Sequence, residues 1–460
     1  LKPQSPEEKK EQVEFQDFCD EWTLKSTVKK YSDFIEYPIY LKVTRQEPKK
    51  DKDGKELKDQ TETVIKDETL NSQKALWTRE SKDIKKEEHA EFYKHITNDW
   101  QEPLETIHYR AEGNQEFIAL MYIPSAVPFD YNYRETKYGL SLYVKRVFIN
   151  NNCEELIPQY MRFIKGLVDS SDLPLNVSRE IIQKDRQIQI IKKAITSKVF
   201  RQLKNMLNKD RKKYCEFWNK FGASLKEGIA SDHANKDTIA DISLFNSTHS
   251  NEMSTLKEYI DRMPTEQKDI YYISGESTDQ IISSPYLEKL KKKKYEVLLL
   301  TDPVDEWVMN SLPEYKKKKL VSITSENLDL DSENEKKQNE KQLKDQKDKY
   351  KSLCETIKES LKDLVKDVRV TDRLVDSPVC LVNGEAEPSA HMQRILEKIG
   401  QNTQENKRVL ELNPNHPIFE KMLDFKNKNK TTMWAQILYN QALLNEGSKI
   451  KDPTNFTKNI

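Results

Sequence analysis

Only ten of the 460 residues are glycine. Glycine lets a backbone pass through left-handed conformations and brings main-chain N–H groups close to a bound phosphate. Neither G-x-G-x-x-G nor G-x-x-x-x-G-K-[ST] occurs, so the two familiar phosphate cradles are missing. If these residues serve a nucleotide, most of its pocket is elsewhere.

Other bulk properties narrow the class. The length exceeds one ordinary core, and two or three domains are expected. Lys+Arg and Asp+Glu both number 77, so the net charge is zero although 33% of the residues are charged. That balance creates no field for nucleic acid or acidic lipid, and neither is an expected partner. No apolar run approaches the ~20 residues of a spanning helix. The opening LKPQSPEEKKEQ reads as neither a signal nor a transit peptide, and without an initial Met it is expected to lie inside a longer protein. Cys19, Cys153, Cys215, Cys354 and Cys380 are odd in number and free of C-x-x-C, and read as reduced structural thiols of a cytosol-like compartment. The sequons at Asn176, Asn246, Asn429 and Asn455 are taken as chance.

Hydrophobic spacing lays out the elements. Residues 10–34 read as helix, YPIYLKV (37–43) as a strand, and the charged stretch 45–62 as a solvated linker or hairpin tip. From 67 to 165 the pattern is mixed: helix at 85–96, strands at 117–124 and 142–149, and a helix over 154–168 carrying Leu156, Tyr160, Phe163, Ile164 and Leu167 on one face. Ile188, Ile191, Ile195, Val199, Leu203 and Met206 follow a 3.6-residue period. Strand 269–274, helix 278–294 and the apolar strand 295–302 make a βαβ crossover, hence a small parallel sheet. The charged stretch 324–349 marks a domain boundary. Beyond it a long helix carries Leu343, Tyr350, Leu353, Ile357, Leu361 and Leu364, strands near 365–372 and 408–413 form a sheet, and three helices close the chain. In the second of these, Trp434, Leu438 and Ala442 make a stripe that Met433, Ile437 and Leu444 widen, and Gly447 ends it. A helix apolar over so much of its circumference needs a second partner, which a terminal helical hairpin usually finds in another subunit.

Four places carry candidate chemistry. In DLPLNVSREIIQ (172–183), Asp172 and Pro174 make a turn, Ser178 is the N-cap and Glu180 suits the helix dipole, so Arg179 is held at a helix start with Gln183 one turn on. A guanidinium held there can neutralise a transferring phosphate; on local chemistry alone an ordinary helix-start arginine paired with a carboxylate has the advantage. His89 and His95 lack H-E-x-x-H spacing, and 329–340 has Asn334 where a calcium loop needs glycine, so no metal is expected. At TDPVDEWVMNSL (301–312), Trp307 and Met309 beside Asp305 and Glu306 read as an adaptable apolar surface with an acidic rim, or else Trp307 is core. SAHMQRILEKIG (389–400) groups Met392, Ile395, Leu396 and Ile399 after a loop with few anchoring features. It reads as a mobile contact for varied apolar partners, or as ordinary packing.

Together these stretches resemble the ninety-kilodalton heat-shock chaperone family. DSSDLPLNVSREIIQ (169–183) is similar to its middle-domain signature. KKYSDFIEYPI (29–39), ALWTRE (75–80), EEHAEFYKHITNDWQEPL (87–104), YIPSAVPFD (122–130), YVKRVFI (143–149), IYYISGES (270–277), EVLLLTDPVDEW (296–307), ELNPNHP (411–417) and QALLNEG (441–447) follow in order.

The resemblance implies a multidomain α/β and α+β chain. Residues 1–42 are the end of an ATPase domain and 43–66 a short charged linker. Residues 67–323 are a middle domain of αβα sandwich units (67–168 and 261–323) joined by a helical coil (169–260). Residues 324–460 are a C-terminal α+β dimerisation domain ending in a helical bundle. The implied function is an ATP-dependent clamp that binds and remodels client proteins. Arg179 is its catalytic arginine, Gln183 and Asn176 support the γ-phosphate and loop, and Phe129 and Trp77 make interdomain contacts. Glu306, Trp307, Met392, Ile395, Leu396 and Ile399 meet clients, while Trp434, Ile437, Leu438 and Leu444 dimerise the chain. ATP and Mg2+ belong to the full-length protein and are not expected on these residues. Client proteins, a second copy and the seventy-kilodalton chaperone are the implied partners. The short linker and the absent MEEVD and KDEL endings indicate a bacterial-type cytoplasmic member, with an organellar one left open. The alternative is a passive dimeric scaffold; a self-contained nucleotide enzyme is disfavoured by the missing glycine loops.

Overall fold

The computed structural model describes residues 19–50, 56–113, 115–129, 131, 137–174, 186–331, 333–384, 387–401 and 406–460. The chain divides into two compact units, Leu1–Phe221 and Gly222–Ile460.

In the first unit, helix α1 (Glu21–Tyr31) begins where the Asp20 carboxylate accepts the Thr23 N–H at 3.0 Å, satisfying a donor that the first turn leaves unpaired. The charged stretch after it is a hairpin. Strand β1 (Tyr40–Lys50) runs antiparallel to β2 (Glu56–Thr69), with Tyr40 opposite Thr69. Helix α2 (Lys86–Thr97) then leads to a five-stranded sheet of β3 (Glu105–Ala111), β4 (Phe117–Ile123), β5 (Leu140–Val144), β6 (Val147–Cys153) and β7 (Lys165–Ser170). Its order is β3-β4-β7-β5-β6, and only the β5–β7 pair is parallel.

Two local expectations fail here for identifiable reasons. The run 142–149 is two strands, because Lys145 and Arg146 take left-handed φ values of 50° and 64°, the geometry of a two-residue hairpin turn. The helix expected over 154–168 is two short 3-10 turns, Glu154–Leu156 and Gln159–Met161, followed by β7. Pro158 lies between them and cannot donate to a helical ladder. The residues chosen for the helical face are nonetheless all buried, so their hydrophobicity was read correctly and their period was not. Helix α3 (Arg186–Lys209) buries Ile188, Ile191, Ile195, Val199, Leu203 and Met206 as their spacing requires, and α4 (Arg211–Ser231) contains the boundary between the units.

The second unit opens with α5 (Lys236–Ile242), β8 (Leu244–Ser247), β9 (Ser254–Thr255) and α6 (Leu256–Arg262). It continues through β10 (Ile270–Ser274), α7 (Thr278–Ile282), α8 (Glu288–Lys293), β11 (Val297–Leu300), α9 (Asp305–Ser311), β12 (Glu314–Tyr315) and β13 (Lys318–Ser322). These strands form one sheet, β12-β13-β10-β11-β8-β9, in which β10 is parallel to β11 as the crossover predicts. The single helix expected over 278–294 is divided: α7 and α8 flank a 3-10 turn that starts at Pro285.

The long helix α10 (Glu333–Ser360) precedes β14 (Val365–Val370), β15 (Val379–Val382), α11 (Ala390–Lys398), β16 (Arg408–Leu412), α12 (Pro417–Leu423), α13 (Lys428–Asn445) and α14 (Pro453–Asn459). Here the sheet order is β14-β16-β15. The boundary expected near 324 lies inside this unit, where Tyr271, Leu287, Val297 and Ile323 share one apolar cluster with Leu374, Cys380, Val382 and Val409. Gly447 ends α13 with a φ of 80°, its N–H donating to the Leu444 carbonyl and that of Ser448 to Leu443, the paired bonds of a Schellman terminator.

Gly166 in β7 has a φ of 136°, and a Cβ there would meet the Leu120 carbonyl oxygen at 2.1 Å. The obstacle is the backbone of the paired strand β4, which cannot swing aside. Gly166→Ala is expected to destabilise the first unit by about 3 kcal/mol or more, measured by urea unfolding; a change within ~0.5 kcal/mol would show that β4 yields.

Candidate functional site

The carboxyl end of β11 feeds directly into α9, whose first two residues are acidic. The expected acidic rim beside Trp307 is absent, because both side chains turn inward. Asp305 Oδ2 accepts the Asp302 N–H at 3.2 Å, and Asp305 Oδ1 lies 2.5 Å from Nζ of Lys226 on α4. Burial lowers the Lys226 pKa, but Asp305 and Asp302 more than offset it and hold the ammonium above its ordinary value.

Glu306 is 9% exposed. Its Oε1 accepts the Ser274 hydroxyl from the end of β10 at 2.6 Å and the Ser389 hydroxyl at 2.6 Å, and His391 Nδ1 stands 3.4 Å away. Burial raises the Glu306 carboxyl, but the contacts from His391, Ser274 and Ser389 outweigh it, leaving the pKa below its ordinary value.

Ser389 has two tasks. It is the N-cap of α11, accepting the Met392 N–H at 2.9 Å, while its own proton goes to Glu306. Further along α11, Lys398 Nζ is 3.0 Å and Arg394 Nε 3.7 Å from the Glu276 carboxylate. Of the two readings of this helix, a mobile contact or ordinary packing, the ties at its start and along one side agree with packing against its own unit. Its polar face makes these ties, while Met392, Ile395 and Leu396 are half-buried and Ile399 is exposed. Trp307, beside Glu306, is 38% exposed. One carboxylate thus draws the two apolar segments singled out in the sequence to the same place.

The remaining predicted residues fall elsewhere. Arg179, Gln183 and Asn176 lie outside the described residues. Phe129 is 93% exposed, whereas Trp77 is wholly buried. The Trp77 indole N–H donates to Asp169 at 2.8 Å, and its ring packs edge-on against Phe34 with centroids 4.8 Å apart. Leu438 belongs to the core of the second unit, Trp434 packs against that core, Ile437 is half-buried and Leu444 is exposed. Among the described residues, no group of His, Cys, Asp or Glu fits a metal ion, and no helix is long and apolar enough to cross a membrane. Cys153, Cys215, Cys354 and Cys380 form no disulfide, and burial pushes the Cys153 thiol to about 12 and Cys354 to about 11, so neither is a nucleophile at neutral pH.

Sequence reasoning missed Lys226, Ser274 and His391, whose partners are remote in the chain. Ser389 carried a readable signal, a serine just before an amphipathic run.

The family model described as "Hsp90 protein" matches residues 17–63 and 44–460. The chain belongs to the Hsp90 family. Among its relatives, "Chaperone protein HtpG" of Bdellovibrio bacteriovorus is 52% identical over 453 residues, covering 98% of this chain and 69% of that protein. The protein of the same name from Geobacter sulfurreducens is 48% identical, covering 97% of this chain and 70% of its own length. That from Nocardia farcinica is 46% identical, with 96% and 69% covered. In this Hsp90-family chain the Glu306 hub gathers α9, β10 and α11 within the second unit.

Glu306→Gln removes the charge that strengthens both serine bonds, and is expected to cost about 1–3 kcal/mol at pH 7. Because folding depresses this carboxyl's pKa, the charge contributes stability above its unfolded value, near 4.5, and loses it as pH falls through the folded value. The melting-temperature gap between parent and variant is therefore expected to be constant from pH 8 to 6 and to close below about pH 4.5; a gap that stays constant to pH 3 contradicts the assignment.

Proposed function

We propose that this chain is the client-handling and dimer-forming part of an ATP-driven molecular chaperone. The observation that carries the reading is the convergence at Glu306: the carboxylate next to Trp307 in the chain bonds Ser389, the N-cap of the amphipathic helix α11, within a chain of the Hsp90 family. Half-exposed Trp, Met, Ile and Leu side chains suit unfolded segments of many sequences, because flexible apolar surfaces repack around different partners. Trp307, Met392, Ile395, Leu396 and Ile399 make the contacts, and Glu306 orients them from beneath.

The described residues hold no metal cluster, and the sequence has no glycine-rich phosphate loop. In this proposal nucleotide and Mg2+ belong to another domain of the full-length protein. Arg179, with Gln183 and Asn176, reaches that nucleotide from the middle domain and neutralises phosphate charge during transfer, and Phe129 and Trp77 serve the contact between the two domains. The middle domain covers 67–323 and the dimerisation domain 324–460. Trp434, Ile437 and Leu444 present the dimer face, for which Leu438 provides the inner support. The relatives' printed name, "Chaperone protein HtpG", supports the chaperone reading and their sources a bacterial-type member; a cytoplasmic setting is part of the same proposal. Cooperation with the seventy-kilodalton chaperone belongs to the same proposal.

ATP turnover by the full-length protein, compared with its Arg179→Ala variant and with nucleotide binding measured in both, tests this. Turnover is expected to fall about 10³-fold while binding persists. Equal turnover would make Arg179 structural and remove it from the chemistry, whereas a parent protein with no turnover would favour the passive dimeric scaffold.

A further inference from the structure

Beneath α9 lies an ion cluster to which the client reading gives no task. Lys226 on α4 is 2% exposed. Its ammonium is 2.5 Å from Asp305 Oδ1 and 2.6 Å from Asp302 Oδ2, and it sits 5.5 Å over the ring of Phe245. A buried lysine is an expensive way to fill a helix face. Stripping an ammonium and a carboxylate of water costs several kcal/mol each, and well-packed apolar residues of similar volume are often as stable or more so. What an ion pair supplies that apolar packing does not is direction, since the partners must meet at fixed atoms.

That direction bears on both apolar segments. Asp305 and Glu306 are consecutive on the first turn of α9, so a turn pinned through Asp305 aims Glu306 and Trp307 as well. Glu306 in turn holds the hydroxyl of Ser389, the N-cap of α11, at 2.6 Å. The line runs from α4 through α9 to α11 within the second unit, by contacts that each fix an atom. Asp302, at the end of β11, receives the same ammonium and ties the line to the central parallel strand pair.

We propose that Lys226 is a positioning residue for the apolar surface formed by Trp307 and α11, setting its geometry from beneath without touching a partner. The inference rests on the client-binding reading of that surface.

Two variants of the full-length protein separate positioning from bulk stability. Lys226→Met leaves two carboxylates facing an apolar side chain and lowers the melting temperature. Lys226→Met combined with Asp305→Asn removes the unpaired buried charge, keeps an acceptor for the Asp302 N–H, and recovers most of that loss. Binding of reduced, carboxymethylated α-lactalbumin, a probe that cannot fold, is measured alongside the Trp307 resonance in 5-fluorotryptophan NMR, assigned with Trp307→Phe. Both readouts are taken well below the lowest melting temperature; where the single variant does not fold, the double variant carries the comparison.

The expected result is that the double variant regains stability yet binds the probe about fivefold or more weakly, with the Trp307 resonance displaced. Recovery of affinity and resonance together with stability would overturn the proposal and make the cluster structural only. If Trp307→Ala in the parent does not weaken probe binding, the client reading fails. The resonance then decides alone: displaced, Lys226 still positions α9; unmoved, it does not.

Discussion

A charge removed from water must be met by an opposite charge or by hydrogen-bond donors, and the second unit is arranged around two such demands at adjacent residues. Asp305 is answered by Lys226, 79 positions earlier, and Glu306 by Ser389, 83 positions later. Neither carboxylate can be buried unless α4, β10, α9 and α11 come to the same place. Burial of apolar area alone would tolerate several ways of packing these helices, since it has no directional preference. The two acids remove that freedom.

The same logic recurs along the join between the two sheets of this unit. The Glu288 carboxylate at the start of α8 accepts the backbone N–H groups of Val375, Asp376 and Ser377 and the Ser377 hydroxyl, which hold its pKa below the ordinary value although burial alone raises it. The Tyr286 hydroxyl donates to the Leu381 carbonyl, and Arg373 donates to the carbonyls of Ile323 and Ser325. With the shared apolar cluster beneath them, these bonds make one body of two sheets that the charged stretch after 324 separates in sequence. Such a base lets α11 leave apolar side chains half in water, because its anchorage is polar and lies on its other side.

The first unit shows which parts of the fold were legible and why others were not. Helix α3 was readable because its buried face repeats at the helical period over many turns. The run 154–168 misled because Leu156, Tyr160, Phe163, Ile164 and Leu167 are also helically spaced; the veto came from Pro158, a single residue whose missing donor outweighs the pattern. At 142–149 the hairpin was hidden because Lys and Arg occupy positions that glycine or asparagine usually signal. Trp77 is wholly buried, with its indole N–H committed to buried Asp169. That bond joins residues 92 positions apart, and no local rule announces it.

Composition and spacing alone determined that this chain builds mixed α/β layers, that it has no glycine cradle for a nucleotide of the two familiar kinds, and that Trp307 and residues 389–400 carry grouped apolar side chains. These properties are legible because they depend on residue type and on neighbours within a few turns. Only the tertiary structure decided that the acids beside Trp307 point inward, that Lys226 lies beneath them, and that Ser389 joins one apolar segment to the other. Those facts follow from desolvated charges finding partners across long stretches of chain, and sequence spacing says nothing about which remote side chain will be the one in reach.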